Sequence, residues 1–172
     1  DDIQKLANFI GNAPTVYWSK EEAEMWKVGT PVVRPHPIDT EIFKGYNPTK
    51  KMAITIATRA IGGWGPEPKG FYILKDAYWK VPIQVIAKGD NDFSNAKEIT
   101  SEEEMVKELQ KYQVYFNCAW KIDRSPLEAM ACGMPVVALR TKNNTYLDYF
   151  EDMKNIIYAN DNAKSVIETY EK

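Results

Sequence analysis

The sequence is poor in the residues that most often build metal centres and catalytic triads. Its 172 residues include one histidine, His36, and two cysteines, Cys118 and Cys132. A single histidine excludes a histidine-based charge relay combined with a separate histidine metal site, and the two cysteines match no zinc spacing. Two thiols without a disulfide framework are typical of a reducing compartment, which predicts a cytoplasmic location. We therefore expect no bound metal and no obvious triad.

Long apolar runs and an excess of positive charge are also missing. No segment approaches the ~20 apolar residues of a membrane span, and no signal peptide is visible. The net charge is -2 and the pI about 5.6, without a basic stripe, so we expect neither nucleic acid nor an anionic membrane as a partner. The composition, 44% hydrophobic and 27% charged, is that of one ordinary globular domain. The chain begins with Asp1 rather than Met, which leaves open that it was excised from a longer protein.

Apolar runs alternate with amphipathic segments along nearly the whole chain. Two runs, 53–57 and 135–139, are continuously hydrophobic, as in strands covered on both faces. This alternation with short links predicts βαβ units and an α/β fold with a Rossmann-like, doubly wound parallel sheet. The predicted strands cover residues 15–18, 31–34, 53–57, 83–87, 114–117, 135–139 and 155–158.

Three predicted helices open on capping-box sequences, which begin at Ser19, Ser101 and Ser125. The third has Pro126 at its first helical position and Gly133 at its end. Further helices are predicted over 69–80 and 161–171. Residues 34–51 carry three prolines and many polar side chains, which indicates a linker. We therefore divide the chain into residues 1–47, the end of a preceding domain and a hinge, and residues 48–172, the main domain.

Ligands of open α/β sheets bind beyond the carboxyl ends of the strands, and three segments are predicted to lie there. In the first, Arg59 and Lys69 bracket a glycine-rich loop and could bind a diphosphate. The alternative is a loop with two solvated cations, since the segment contains neither a P-loop nor a dinucleotide fingerprint. In the second, Gly89 could leave room for a base or ribose, or could simply form a Gly-Asp turn.

The third segment is the start of the helix that contains Ser125 and Glu128. Free amides at a helix N-terminus can bind phosphate, and the carboxylate of Glu128 could accept hydrogen bonds from two ribose hydroxyls. The alternative is that Glu128 accepts from the amide of Ser125 as a capping-box partner. Periodicity leaves both possibilities open.

These segments together resemble a known family. Residues 125–138 read SPLEAMACGMPVVA, which closely resembles the LEAMACGxPVVA signature of retaining GT-B glycosyltransferases of the "group 1" type, relatives of sucrose and glycogen synthases. Residues 56–59 with 69–70 resemble the family's G-R…K-G element, and residues 36–43, HPIDTEIF, resemble its interdomain hinge. Gly89 with Asp90 falls where the family often has G-D-G. The resemblance extends from about Val16 to Tyr170.

The resemblance implies the C-terminal, donor-binding half of a GT-B fold. It implies transfer of a sugar from a nucleotide-diphosphate sugar to an acceptor hydroxyl with retention, without an obligatory metal and with no cofactor beyond the donor substrate. Arg59 and Lys69 would bind the diphosphate and stabilise charge on the departing nucleotide, and so act as the catalytic residues. Glu128 would hold the ribose, with Gly89 and Ser125 also at the donor and Asp123 at the sugar.

Two departures from the family pattern shape the alternatives. The first glutamate of the family's motif is replaced by Trp120, and the glycine-rich residues beside it by Lys121, Ile122 and Asp123. Trp120 favours a non-catalytic nucleotide-sugar-binding module, and another GT-B enzyme such as a sugar-nucleotide epimerase is a further alternative. The acceptor, whether sugar, lipid or protein, would bind through a missing N-terminal domain. We therefore expect the isolated chain to be a hexosyltransferase-like donor domain that is inactive alone.

Overall fold

A computed structural model of the protein describes residues 2–18, 20–34, 36–57, 70–87, 93–119, 124–140, 150–160 and 162–171. No helix within these ranges is long and apolar enough to cross a membrane. Helices and strands alternate along the chain in the order α1 (Asp2–Ile10), β1 (Pro14–Tyr17), α2 (Lys20–Trp26), β2 (Thr30–Val33), β3 (Lys50–Ile56), α3 (Phe71–Tyr78), β4 (Ile83–Ile86), α4 (Glu102–Leu109), β5 (Tyr112–Asn117), α5 (Arg124–Ala131), β6 (Val136–Arg140), β7 (Ile157–Asn160) and α6 (Ala163–Tyr170).

The main domain is built on a five-stranded parallel sheet with the order β4-β3-β5-β6-β7. The chain moves outward from β3 to β4, returns past β3 to β5, and then continues to β6 and β7. This order confirms the predicted doubly wound α/β fold. Strands β1 and β2 pair separately as a two-stranded parallel sheet near the amino terminus.

Alternate side chains of the strands pack into two separate cores. On one face of the sheet, α3 and α6 cover Ala53, Val137 and Leu139. On the other face, α4 and α5 cover Ile54 and Val136, together with Ala138. Strands buried on both faces need continuous hydrophobicity, which is why the runs at 53–57 and 135–139 were readable as inner strands.

All seven predicted strands are confirmed to within a few residues, and so is the Ser101 cap. The Ser101 hydroxyl accepts a hydrogen bond of 3.1 Å from the amide of Glu104, whose carboxylate in turn accepts from the amide of Thr100 at 3.3 Å. The predicted cap at Ser125 is wrong, because α5 already begins at Arg124. Pro126 fits inside the first turn because the first amides of a helix have no partner within it. Helix α1 was not predicted.

The linker between the two sheets is attached to the main domain. Phe43 is fully buried in the core beneath α4 and α5, and Ile38 and Tyr46 pack against the same core. The Tyr46 hydroxyl donates to the carbonyl of Gln113 at 2.5 Å, and the Gln110 side chain donates to the carbonyl of Lys44 at 2.7 Å. The division at residue 47 stays a prediction, but residues shortly before it already contact the main sheet.

Candidate functional site

The strand order places a topological switch point at the carboxyl ends of β3 and β5. These strands are neighbours, but the chain leaves them in opposite directions, toward β4 and toward β6. At this point Gly70, the residue before α3, lies against the backbone of Cys118, the residue after β5. In doubly wound sheets such a point is where ligands bind.

Four of the predicted site residues, Arg59, Lys69, Gly89 and Asp123, lie outside the described residues, as does Trp120. The segments that contain them connect to the described chain at the carboxyl ends of β3, β4 and β5. Since these three strands are adjacent and parallel, their carboxyl ends share one edge of the sheet. The assignments of these residues to a diphosphate, base or sugar stay predictions.

The two described site residues, Ser125 and Glu128, both line a cavity of about 310 Å³. It lies between the first turns of α4 and α5, which follow the carboxyl ends of β4 and β5. Its volume is at the lower end of the range for small-molecule pockets. The lining residues are Phe43, Ile99, Thr100, Ser101, Glu102, Met105, Arg124, Ser125 and Glu128.

Glu128 is buried, with 7% of the residue exposed, and its carboxylate forms an ion pair inside the cavity. Arg124 Nε lies 2.6 Å from Glu128 Oε1, and Nη2 of the same guanidinium lies 2.5 Å from Glu102 Oε1. Because Ser125 is the second residue of α5, it does not occupy the capping position that the alternative role of Glu128 required. Sequence reasoning missed Arg124, although its spacing of four residues from Glu128 on a helix was a usable signal.

Among the described residues of the cavity, the charges favour hydrogen-bond donors over phosphates. Two carboxylates, Glu102 and Glu128, face one guanidinium, so the three groups leave an excess of one negative charge. An ionised carboxylate only accepts hydrogen bonds, so hydroxyl and N–H groups are its natural partners. Ile99 and Met105 add an apolar part to the lining. The described lining therefore suits a ligand part that combines an apolar surface with hydrogen-bond donors.

The two cysteines are poor nucleophiles. Burial raises the pKa of Cys118 to about 12, and burial together with the charge of Glu128 raises the pKa of Cys132. A thiol must ionise to react, so neither cysteine supplies covalent catalysis at neutral pH. Within the described ranges, no group of three or more His, Cys, Asp and Glu residues is arranged to hold a metal ion.

No protein-family model and no curated protein matches the sequence. Solved structures do match the fold. A sucrose-phosphate synthase from Thermosynechococcus elongatus matches 99% of this chain and 52% of its own, with a TM-score of 0.72 and 15% identity. The C-terminal domain of a glycosyl transferase group 1 family protein from Francisella tularensis matches 78% of this chain and 86% of its own, with a TM-score of 0.57 and 14% identity. TarM matches 95% of this chain and 37% of its own, with a TM-score of 0.69 and 16% identity.

These likenesses establish the fold. The chain has the α/β architecture found in the C-terminal half of GT-B glycosyltransferases, as the sequence resemblance implied. It spans about half the length of the sucrose-phosphate synthase, but nearly the whole of the isolated Francisella domain. At identities near 15%, activity has to be argued from the site.

Proposed function

We propose that the chain is the donor-binding half of a glycosyltransferase that transfers a sugar from a nucleotide-diphosphate sugar to an acceptor hydroxyl with retention. The observation that carries the proposal is the position of Glu128. Its carboxylate lines a cavity at the carboxyl edge of a sheet whose fold is shared with a sucrose-phosphate synthase and a glycosyl transferase domain. The sequence around it, LEAMACGMPVVA, supports the same reading.

In this proposal the cavity receives the nucleoside. The two ribose hydroxyls donate to Glu128, and the base lies along Ile99 and Met105. The excess negative charge of the described lining keeps the diphosphate outside the cavity, toward the carboxyl ends of β3 and β5. Gly89 and Ser125 contribute to the donor site from their own segments.

Arg59 and Lys69 bind the diphosphate and act at the chemical step. When the sugar–phosphate bond breaks, negative charge grows on the departing nucleoside diphosphate. A guanidinium fork and an ammonium placed at these oxygens stabilise that charge more in the transition state than in the bound donor. Asp123 contacts the transferred sugar. The donor is the substrate, and the proposed transfer involves no metal or other cofactor.

The acceptor, a sugar, lipid or protein, binds in this proposal to an N-terminal domain whose end, together with the hinge, is formed by residues 1–47. The sucrose-phosphate synthase and TarM, which are much longer than this chain, match 99% and 95% of it. The isolated Francisella domain leaves 22% of this chain unmatched. Seven of the ten large hydrophobic side chains found exposed in the described ranges lie within the first 42 residues. An exposed apolar surface of this kind supports the proposal that another domain packs against it. The isolated chain is then expected to bind the donor without turning it over, and its two buried thiols support a cytoplasmic location.

A non-catalytic nucleotide-sugar-binding module is the second candidate. Trp120 favours it, because an indole cannot replace the acceptor oxygens that the family's first glutamate offers to the sugar. Such a module binds the donor with the same cavity but transfers nothing, even when a second domain is supplied. Activity of the longer protein separates the two candidates.

Calorimetric titration with UDP, GDP, ADP and their sugar conjugates tests the donor site. We expect saturable binding of one diphosphate. Arg59→Ala and Lys69→Ala should each weaken it by about 1–3 kcal/mol, the scale of a hydrogen bond to a charged group. Lys164→Ala is the matched control, because this side chain is 85% exposed on α6. Absence of binding to every diphosphate and conjugate, or unchanged affinity in both variants, contradicts the proposal.

A further inference from the structure

The guanidinium of Arg124 connects the two helices that form the cavity. One nitrogen, Nε, contacts Glu128 on the same helix at 2.6 Å, and another, Nη2, contacts Glu102 at the start of α4 at 2.5 Å. All three side chains line the cavity. The same cation therefore holds the carboxylate inside the pocket and a carboxylate on the opposite wall.

Burial differs across this ion-pair network. The Glu128 side chain is 9% exposed, whereas those of Arg124 and Glu102 are about half exposed. A buried carboxylate needs a partner to remain charged, and a cation at hydrogen-bond distance provides it. The planar guanidinium has its N–H groups in fixed directions, so contacts through both Nε and Nη2 restrict its rotation. The orientation of the Glu128 carboxylate is restricted with it.

We propose that Arg124 is a positioning residue for Glu128, and that this pairing makes the site select ribose over 2′-deoxyribose. The inference rests on the proposed function, because it assumes that the nucleoside occupies the cavity. A ribose offers two neighbouring hydroxyls, and an oriented carboxylate can accept from both. A deoxyribose offers one hydroxyl fewer, so it gains less from that orientation. Arg124 itself need not touch the ligand.

Charge and geometry can be separated with two variants of Arg124. Arg124→Lys keeps a positive charge but replaces the rigid fork with a point charge that cannot hold both carboxylates in the same way. Arg124→Met removes the charge as well, which leaves the two carboxylates uncompensated beside the diphosphate. We expect Arg124→Lys to lose sugar selectivity while largely keeping affinity for the deoxy nucleotide. We expect Arg124→Met to weaken both nucleotides.

The test compares dissociation constants for the preferred nucleoside diphosphate and its 2′-deoxy analogue. For the unaltered 172-residue chain we expect the ribonucleotide to bind at least about tenfold more tightly, the scale of one hydrogen bond to a charged group. In Arg124→Lys the ratio should fall to within about threefold of one, close to that of Glu128→Gln. Lys164→Met is the matched control, because it disrupts another ion pair between residues four apart, with Glu168 on α6. It should keep the original ratio.

The outcomes separate this inference from the proposed function. Failure of the unaltered chain to bind any nucleoside diphosphate overturns both. Binding without a ribose preference overturns the inference and the ribose contact of Glu128, but leaves the binding of a nucleoside diphosphate by the domain standing. Thermal unfolding of each variant identifies a purely structural role. If Arg124→Lys lowers stability but keeps the unaltered ratio, Arg124 merely joins α4 to α5 and the inference is wrong.

Discussion

The carbonyl oxygen of Cys118 occupies the space that a side chain at position 70 would need. An ideal Cβ atom built on Gly70 lies 1.5 Å from this oxygen, and Gly70 has a φ of 61°. Both the close approach and the left-handed backbone require glycine. The contact joins the start of α3 to the end of β5. Gly70 directly follows Lys69, a predicted diphosphate ligand.

Gly70→Ala is therefore expected to destabilise the protein strongly. The left-handed conformation alone costs an alanine about 1–2 kcal/mol, and displacement of the Cys118 backbone adds to it. Equilibrium urea unfolding measures the change. Gly11→Ala is the matched control, because Gly11 has a similar φ of 56° and nothing within 4 Å of an added Cβ. Equal losses in the two variants would show that the contact with Cys118 is unimportant.

A buried carboxylate on α4 is expected to make stability depend on pH. Glu108 accepts from Lys111 Nζ at 2.6 Å and from Lys97 Nζ at 2.7 Å. Burial raises the pKa of Glu108, but the hydrogen bonds from these two lysines outweigh burial and hold the pKa below its usual value. Because the folded-state pKa is lowered, the stabilisation is present above the unfolded-state pKa of about 4.3 and is lost as the pH falls through the folded-state value.

Glu108→Gln should thus lower the free energy of unfolding at pH 7 by about 1–3 kcal/mol, the scale of a charged hydrogen bond. The difference from the unaltered chain should shrink between pH 5 and pH 3. Glu41→Gln is the control, because the exposed pair between Glu41 and Lys44 should contribute much less. A difference that stays constant over this pH range would argue against an ionised Glu108.

The two cysteines are expected to resist alkylation in the folded chain. Burial raises the pKa of Cys118 to about 12, so little reactive thiolate forms at pH 8. Treatment with N-ethylmaleimide followed by mass spectrometry should give no adduct natively and two adducts in guanidinium chloride. In the Cys132→Ala variant, Cys118 is the one remaining thiol. Rapid modification of Cys118 in the folded state would contradict its burial.

The amino-terminal surface is expected to make the isolated chain associate. Phe9 and Met25 are 88% and 65% exposed in the region where we propose that another domain packs. Phe9→Lys and Met25→Lys should each reduce self-association measured by sedimentation velocity. Trp79→Lys is the control, since Trp79 is 73% exposed on the main domain. An equal effect of Trp79→Lys would assign the association to general hydrophobicity, and a monomeric unaltered chain would contradict the expectation.

The strands of this protein could be predicted because hydrophobicity along the sequence reports burial directly. The capping-box signal failed at the start of α5, because a Ser-Pro pair fits a cap and also fits the first turn, and the structure begins the helix at Arg124. Helix α1 was missed although its sequence carries a helical signal. Asp1 precedes it, and Ile3, Leu6, Ala7 and Ile10 have the i, i+3, i+4, i+7 spacing of an apolar stripe.

The cavity could not be predicted in the same way. Glu128 was identified from a motif, but its surroundings come from distant parts of the chain that only packing brings together. Glu102 lies on another helix, and Phe43 belongs to the linker. The partner of Glu128 was the exception, since Arg124 is one helical turn away. The charges around a carboxylate depend on the folded chain. Sequence spacing predicts only those that lie on the same helix.

The linker has a mechanical consequence for the longer protein that we propose. Trp18 stacks on His36 with ring centroids 4.3 Å apart, and Ile38 already packs against the core of the main domain. Pro37 alone separates these two attachments, and its ring fixes one of its two backbone torsions. Rotation of the amino-terminal part relative to the main domain must then use the few backbone torsions that remain free, or it must break one of the two attachments. The linker should therefore restrict the motion between the two domains to a few directions.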